Sequence, residues 1–421
     1  MNKIFDSIIL PAREYESEYD CGDGAYMLVY EDSSLSEYEA LCKNALDGGF
    51  SAVTHNVIEK NEYYTLRGKC LLNLCFTPCD NKLRVIADPN LTEYAVKPVY
   101  ADKSPVALWQ FEVDHSLIDC GMCYIVRCDD GSFFVIDSAH YYSVNDDIRL
   151  IEFLKKVSGE SKPRVSGWFF SHGHEDHIGK FNDILAYYSD KLDIEAVYVN
   201  FPSENHRDAP WGVPAYNSML DFRRLLDEHK EIRVVKLHAG MHFCVRNLKF
   251  DVLCTHEDVY PESTEDFNNT STVIVMNACD TVVSFPGDAS DHSDKVLIDR
   301  YNEKLKADII QISHHGHHGT SPEFYRRTGA KCALFPVTVI KYDEEFPLQE
   351  SNRLAVEIAG ESYIASNGTV EIPLPYKPGQ VKVYPDETFE DFDGIFNLWC
   401  YEYTEERKKQ LYEDYLLRTG K

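Results

Sequence analysis

Ser171-His172-Gly173-His174-Glu175-Asp176-His177 follows directly on the apolar run Val165–Phe170. Three histidines and two acids fall within residues 172–177. Alternate residues of a strand share a face, so histidines at i and i+2 at a strand end aim two imidazoles at one point. As the chain turns into a helix, Asp176 and His177 serve a second point a few ångströms away. Neutral imidazole and carboxylate together suit zinc, iron or manganese. A solvated polar loop is the plain alternative, and the H-x-H-x-D-H spacing argues against it.

Working outward, residues 107–376 alternate strand-like and helix-like stretches. Tyr124–Arg127 and Phe133–Ile136 read as strands joined by Asp129-Asp130-Gly131. Ile148–Val157 has helical spacing, and Ala196–Asn200, Val273–Met276, Thr281–Phe285, Ile309–Ile312 and Ala333–Val337 read as buried strands. Residues 1–106 read as a separate α+β unit: a strand at Ala25–Tyr30, a helix at Ser34–Leu46 stopped by Gly48-Gly49, and β runs at Ser51–Ile58, Tyr63–Arg67, Leu71–Thr77 and Leu83–Ala87. Residues 377–421 form an extension with an acidic run from Asp386 to Asp393 and a charged amphipathic helix from Thr404 to Leu417.

The H-x-H-x-D-H string is the signature of the metallo-β-lactamase fold superfamily, which this sequence resembles from about Leu108 to Leu374. Other motifs fall in that family's order: Asp137 in Val135-Ile136-Asp137-Ser138, Pro286-Gly287-Asp288, and His314-His315-Gly316. The likeness is greatest to the ComEC-like branch, the domain found in competence DNA-uptake proteins. That branch has an N-x-x-S element, here Asn268-Asn269-Thr270-Ser271, and a double histidine before glycine. The sequence departs from the branch at Gly179-Lys180 (usually Gly-Gly), at Cys120-Gly121-Met122-Cys123, and at Phe346 before Pro347.

The resemblance implies an α/β, four-layer αββα sandwich carrying two divalent transition-metal ions, zinc before manganese or iron. A hydroxide bridging the metals would be the nucleophile. His172, His174 and Asp288 would hold one ion, with His256 and His206 as further candidates. Asp176, His177, Asp288 and one of His314 or His315 would hold the other. His314 is favoured as the ligand, because it comes first off the strand, and His315 as the proton donor. Asp137 would orient a ligand histidine, and Asn268 and Ser271 would face the substrate. The repeat His317-His318-Gly319 offers either a substrate contact or a replacement ligand. In the loop Ser203–Tyr216, Arg207 suits an anionic group and Trp211 a ring or sugar. Cys120-x-x-Cys123 lacks a second pair and reads as structural.

Composition narrows the substrate. With 42 basic and 70 acidic residues the net charge is −28, which disfavours long nucleic acid and favours a small molecule. No apolar run reaches the roughly 18–20 residues of a bilayer span. The 13 scattered cysteines fit a reducing, cytoplasmic setting. The expected activity is hydrolysis of a small phosphodiester. A carboxylic ester, thioester or lactone is the alternative substrate, and a non-catalytic or partner-dependent binding protein the alternative class. Residues 1–106 are expected to serve a partner or a homo-oligomer.

Overall fold

The computed structural model describes residues 1–6, 8–114, 119–143, 145–206 and 213–385. Arg207, Trp211 and the extension from Asp386 onward lie outside them. Three sheets occur among the described residues. The first is antiparallel, with strands in the order Ser17–Gly22, Ala25–Tyr30, Lys82–Asp88, Leu71–Thr77, Asn61–Arg67, Ser51–Ile58. Its period-2 alternation splits the side chains between two faces. Leu28, Tyr30, Leu66, Leu72, Leu74 and Val85 pack under the helix Leu35–Asp47. That helix starts because the Ser34 hydroxyl accepts the Glu37 N–H at 3.3 Å, and it buries Tyr38, Leu41, Cys42 and Ala45 at helical spacing.

The other two sheets face each other. One runs Arg233–Lys236, Ala196–Val199, Arg164–Phe169, Phe133–Ile136, Tyr124–Arg127, Ala107–Gln110, Thr369–Pro373, Lys382–Tyr384, with Asp193–Ile194 beside Arg164–Phe169. The other runs His242–Val245, Leu248–Cys254, Val273–Ala278, Thr281–Phe285, Ile309–Gln311, Cys332–Phe335, Glu361–Ile364. Tyr124, Phe134, Ile136, Phe169 and Tyr198 meet Phe243, Phe250, Met276, Phe285 and Leu334 between them. The rings of Phe134 and Phe250 are 4.4 Å apart. Outside the first of these sheets lie Asp146–Ser158, Glu175–Tyr187 and Val213–Glu228; outside the second lie Asp291–Arg300, Pro322–Thr328 and Glu350–Ala359. The result is the αββα sandwich expected.

Within each sheet a block of strands is parallel: Phe133–Ile136 through Arg233–Lys236 in one, Thr281–Phe285 through Glu361–Ile364 in the other. The carboxyl ends of parallel strands are where α/β sheets place their ligands, and Asp137, the histidine string, Pro286-Gly287-Asp288 and the double histidine leave from such ends, while Asn268–Ser271 enters the antiparallel strand Val273–Ala278.

The six-stranded sheet turns its second face to the sandwich. The hydroxyls of Tyr63 and Tyr301 are 2.6 Å apart, and Lys236 Nζ donates to the carbonyls of Cys21 and Gly22 at 2.9 and 2.6 Å. The connecting residues 89–106 run along the sandwich. Asn90 Nδ2 donates to the Val234 carbonyl at 2.9 Å, Ala95 bridges Cys244, the Val99 N–H bonds the Arg246 carbonyl at 2.8 Å, and Lys103 reaches Asp129. This strap lies against His242–Val245, the edge strand of the seven-stranded sheet.

Candidate metal centre

Asp137 lies just past Phe133–Ile136, fully buried, in a left-handed conformation with φ 53°. Its Oδ1 accepts the Ser171 N–H and its Oδ2 the Ser171 hydroxyl, both at 2.8 Å. The same Oδ2 is 2.8 Å from His177 Nδ1. One buried carboxylate thus fixes both the start of the histidine loop and the ring that ends it. His177 Nε2 turns the other way, 3.3 Å from Asp288 Oδ2 and 3.6 Å from Asp176 Oδ2.

Asp288 is delivered by a turn that glycine makes possible. Gly287 has φ 58°, and a Cβ there would come within 2.7 Å of the Ser171 Cβ. Gln311 clamps that peptide from both sides, accepting its N–H and donating to its carbonyl at 2.9 Å each. The Asp288 N–H donates to Ser271 Oγ at 3.1 Å, which gives the N-x-x-S serine a positioning part. Asp288 Oδ2 also reaches His315 Nε2 at 3.4 Å and His172 Nε2 at 3.9 Å, while its buried Oδ1 has no hydrogen-bond partner among the described residues.

The double histidine lies opposite to the expected order. Both residues are left-handed, with φ 50° and 54°, which throws consecutive side chains apart. His315, not His314, enters the cluster: its Nε2 is 3.0 Å from Asp176 Oδ2 and 3.3 Å from His177 Nε2, and its Nδ1 is 2.7 Å from the Pro336 carbonyl. His314 stands at the rim, with Nε2 3.4 Å from Asn268 Nδ2 and Nδ1 3.2 Å from the His318 carbonyl. Coming first off the strand did not decide the matter, because the backbone leaves the strand in a tight left-handed turn.

One oxygen or nitrogen from each of Asp176, His177, Asp288 and His315 lies within 4.8 Å of the others. Alongside, His172 Nε2 and His174 Nδ1 face each other at 2.9 Å. Burial opposes charge on His315, yet Asp288 and Asp176 outweigh it and lift the ring to about 10. His177 is driven up likewise, against burial, by Asp288, Asp176 and Asp137. Asp288 and Asp176 fall well below the carboxylate range: burial pushes upward, but the neighbouring histidines prevail. Burial, with His177 and His174 beside it, drives His172 well down. Burial also lowers His314, to about 4.

The residues fit a metal cation. The donors are imidazole nitrogens and carboxylate oxygens, Asp288 keeps a buried oxygen unclaimed, and His177 and His315 each have the far nitrogen held by an acceptor, the usual support for a metal-binding imidazole. The two further candidates point elsewhere. His256 Nδ1 takes the Tyr19 hydroxyl at 2.9 Å and its Nε2 meets Asn200 Oδ1 at 2.9 Å, while His206 stacks on Tyr19. His317 pairs with Glu345 at 3.3 Å. Ser171, Gln311 and Pro336 were missed in the sequence; only Ser171, adjacent to His172, carried any signal.

No curated protein matches the chain. Among solved structures, the metallo-beta-lactamase fold protein YhfI from Bacillus subtilis is 11% identical, with TM-score 0.38, covering 62% of this chain and 96% of that one. Unliganded PDE1 from yeast is 12% identical, with TM-score 0.40, covering 64% and 100%. The diiron beta-hydroxylase CmlA from Streptomyces venezuelae is 12% identical, with TM-score 0.38, covering 66% of this chain and 55% of that one. The family model of the Metallo-beta-lactamase superfamily matches residues 121–255 of this chain, the stretch holding Asp137 and the whole histidine string.

Proposed function

We propose that this protein is a metal-dependent hydrolase of small phosphodiesters. The observation that carries the reading is the convergence of Asp176, His177, Asp288 and His315 within 4.8 Å, beside the facing pair His172 and His174. His172, His174 and Asp288 would hold one divalent cation and Asp176, His177, Asp288 and His315 the other, with zinc favoured over manganese or iron. When bound, such a pair lowers the pKa of water and neutralises an anionic ester.

The chain's own groups do the rest. Asp137 fixes the His177 ring and the Pro336 carbonyl fixes His315, so both present Nε2 inward. Asp288 is pinned through its own N–H by Ser271. His314 and Asn268 form the substrate side of the cluster, with the neutral His314 ring oriented by the His318 carbonyl. The N-x-x-S and His-His-Gly likeness to the ComEC-like branch supports a phosphodiester over other esters. The charge of −28 supports a small substrate over a long polyanion. We divide the chain into residues 1–106, 107–376 and 377–421, with the hydrolytic groups in the middle part.

The test is a panel on zinc- or manganese-loaded protein: bis-p-nitrophenyl phosphate, a carboxylic ester, a thioester, a lactone, and long duplex DNA. Turnover of the phosphodiester with little action on DNA is expected. Robust lactone or thioester turnover without phosphodiesterase activity would overturn the substrate class.

A further inference from the structure

The strand Ser17–Gly22 and its partner Ala25–Tyr30 form a hairpin at the end of the six-stranded sheet. Its tip is fastened to residues 200–206, which leave the strand Ala196–Val199 at the same edge as the histidine loop, one strand away. Asp20 Oδ2 accepts from Ser203 Oγ at 2.7 Å and from Asn205 Nδ2 at 3.3 Å. Gly22, at φ 79°, lies so close that a Cβ would stand 2.9 Å from the Pro202 carbonyl carbon. Arg223 ties the two together, donating to the Pro202 carbonyl at 2.7 Å and to Asp23 at 3.0 Å.

Tyr19 is the centre of this contact. Its ring is stacked on His206 at 5.3 Å and lies 4.2 Å from Tyr260. Its hydroxyl meets His256 Nδ1 at 2.9 Å, and His256 continues through Asn200 to Glu257. The short helix His256–Val259 packs on Phe267–Thr270. From there Phe267 lies 5.8 Å from the ring of His174, and Asn268 meets His314. An N-terminal tyrosine thus buttresses residues 200–206, which leave the strand next to that of the histidine loop, and residues 256–270, which border the metal centre through Phe267 and Asn268.

We infer that the hairpin is a wall of the substrate entrance, with Tyr19 and Asp20 as positioning residues that hold residues 200–206 and 256–270 in place for ester binding. This assigns the six-stranded sheet a part in substrate selection. Its kinetic consequence rests on the proposed hydrolase activity; its structural consequence does not.

The experiment uses the full chain in four variants: Tyr19→Phe, Asp20→Ala, the conservative Asp20→Asn, and Ser203→Ala. Ser203→Ala breaks the Asp20 bond from the opposite side and leaves the hairpin sequence untouched. Hydrogen exchange of peptides spanning 200–206 and 256–263 is expected to accelerate about tenfold in Asp20→Ala and Ser203→Ala, and in Tyr19→Phe at 256–263. Asp20→Asn should restore much of the protection. Metal content should equal that of the parent. On bis-p-nitrophenyl phosphate, KM should rise roughly three- to tenfold with kcat within about twofold. Unchanged exchange in both Asp20→Ala and Ser203→Ala overturns the wall, as does loss of metal with unchanged KM. If the parent cleaves no phosphodiester, the exchange result still decides, so failure of the wall and failure of the proposed activity are read separately.

Discussion

Asp137 Oδ2 sits 2.8 Å from His177 Nδ1, with both side chains fully buried. A negative oxygen there fixes the tautomer and raises the basicity of the opposite nitrogen. Asp137→Asn keeps the shape and removes the charge. Metal affinity should fall about 10- to 100-fold while the far-ultraviolet circular dichroism stays that of the parent. Unaltered affinity in a competition titration would show that the carboxylate merely packs.

Metal content should be close to two ions per chain, since the two donor groups share Asp288 Oδ2, 3.3 Å from His177 and 3.9 Å from His172. His172→Ala should lower occupancy of one ion, and Asp288→Ala should disturb both. Elemental analysis that finds a chain unable to take up zinc or manganese would sink the metal centre.

The two adjacent histidines should separate cleanly. His315→Ala removes a cluster member 3.0 Å from Asp176 and should lose metal together with activity. His314→Ala removes a rim group bonded to Asn268 and should keep the metal while kcat/KM drops by about 10- to 100-fold. Equal metal loss in both variants would contradict this assignment.

A pH dependence follows from His238, buried between Asp88 at 3.0 Å and Glu257 at 2.8 Å. Burial opposes its charge, but Glu257 and Asp88 prevail and hold it up at about 9. Glu257 is lowered to about 2 by His238 against burial, with His256 and Lys236 adding to the pull. A raised folded pKa stabilises fully below the unfolded value, about 6.5, and the gain is lost as pH rises through the folded value. Thermal stability of the parent should therefore decline between about pH 7 and 9.5. His238→Gln should be less stable at neutral pH and show a shallower decline, the remainder coming from His242, raised to about 9 by Asp251, and from His315. A parent with a flat profile across this window would refute the pairing.

Much of this was legible in the sequence where local pattern governs. Ala25–Tyr30, Ser51–Ile58, Leu71–Thr77, Tyr124–Arg127, Phe133–Ile136 and Thr281–Phe285 are strands at the residues read, because apolar and β-branched runs between turns state their own limits. Ser17–Gly22 escaped notice. Its Ser-Glu-Tyr-Asp-Cys-Gly alternates acids with a buried Tyr19 and Cys21, a pattern too short and too polar to stand out. The hairpin His242–Val245 with Leu248–Cys254 escaped for a related reason: Arg246-Asn247 makes its turn without glycine. Histidine spacing located the loop at 172–177, but the order of His314 and His315 depended on two left-handed residues, which no periodicity encodes. Gln311 and Pro336 act across sheet and loop, contacts that exist only once the strands are in register.

The strap of residues 89–106 carries one more consequence, for anyone dividing this chain. Ala95 pairs with Cys244 on the border strand His242–Val245, so the strap occupies hydrogen-bonding groups that would otherwise offer a template to another molecule. A cut at 106 would strip that cover and invite edge-to-edge aggregation, which an assay would register as lost activity. A cut near 89 would remove the six-stranded sheet, and Asp88 beside His238 with it, but keep the Ala95–Cys244 pairing on the border strand.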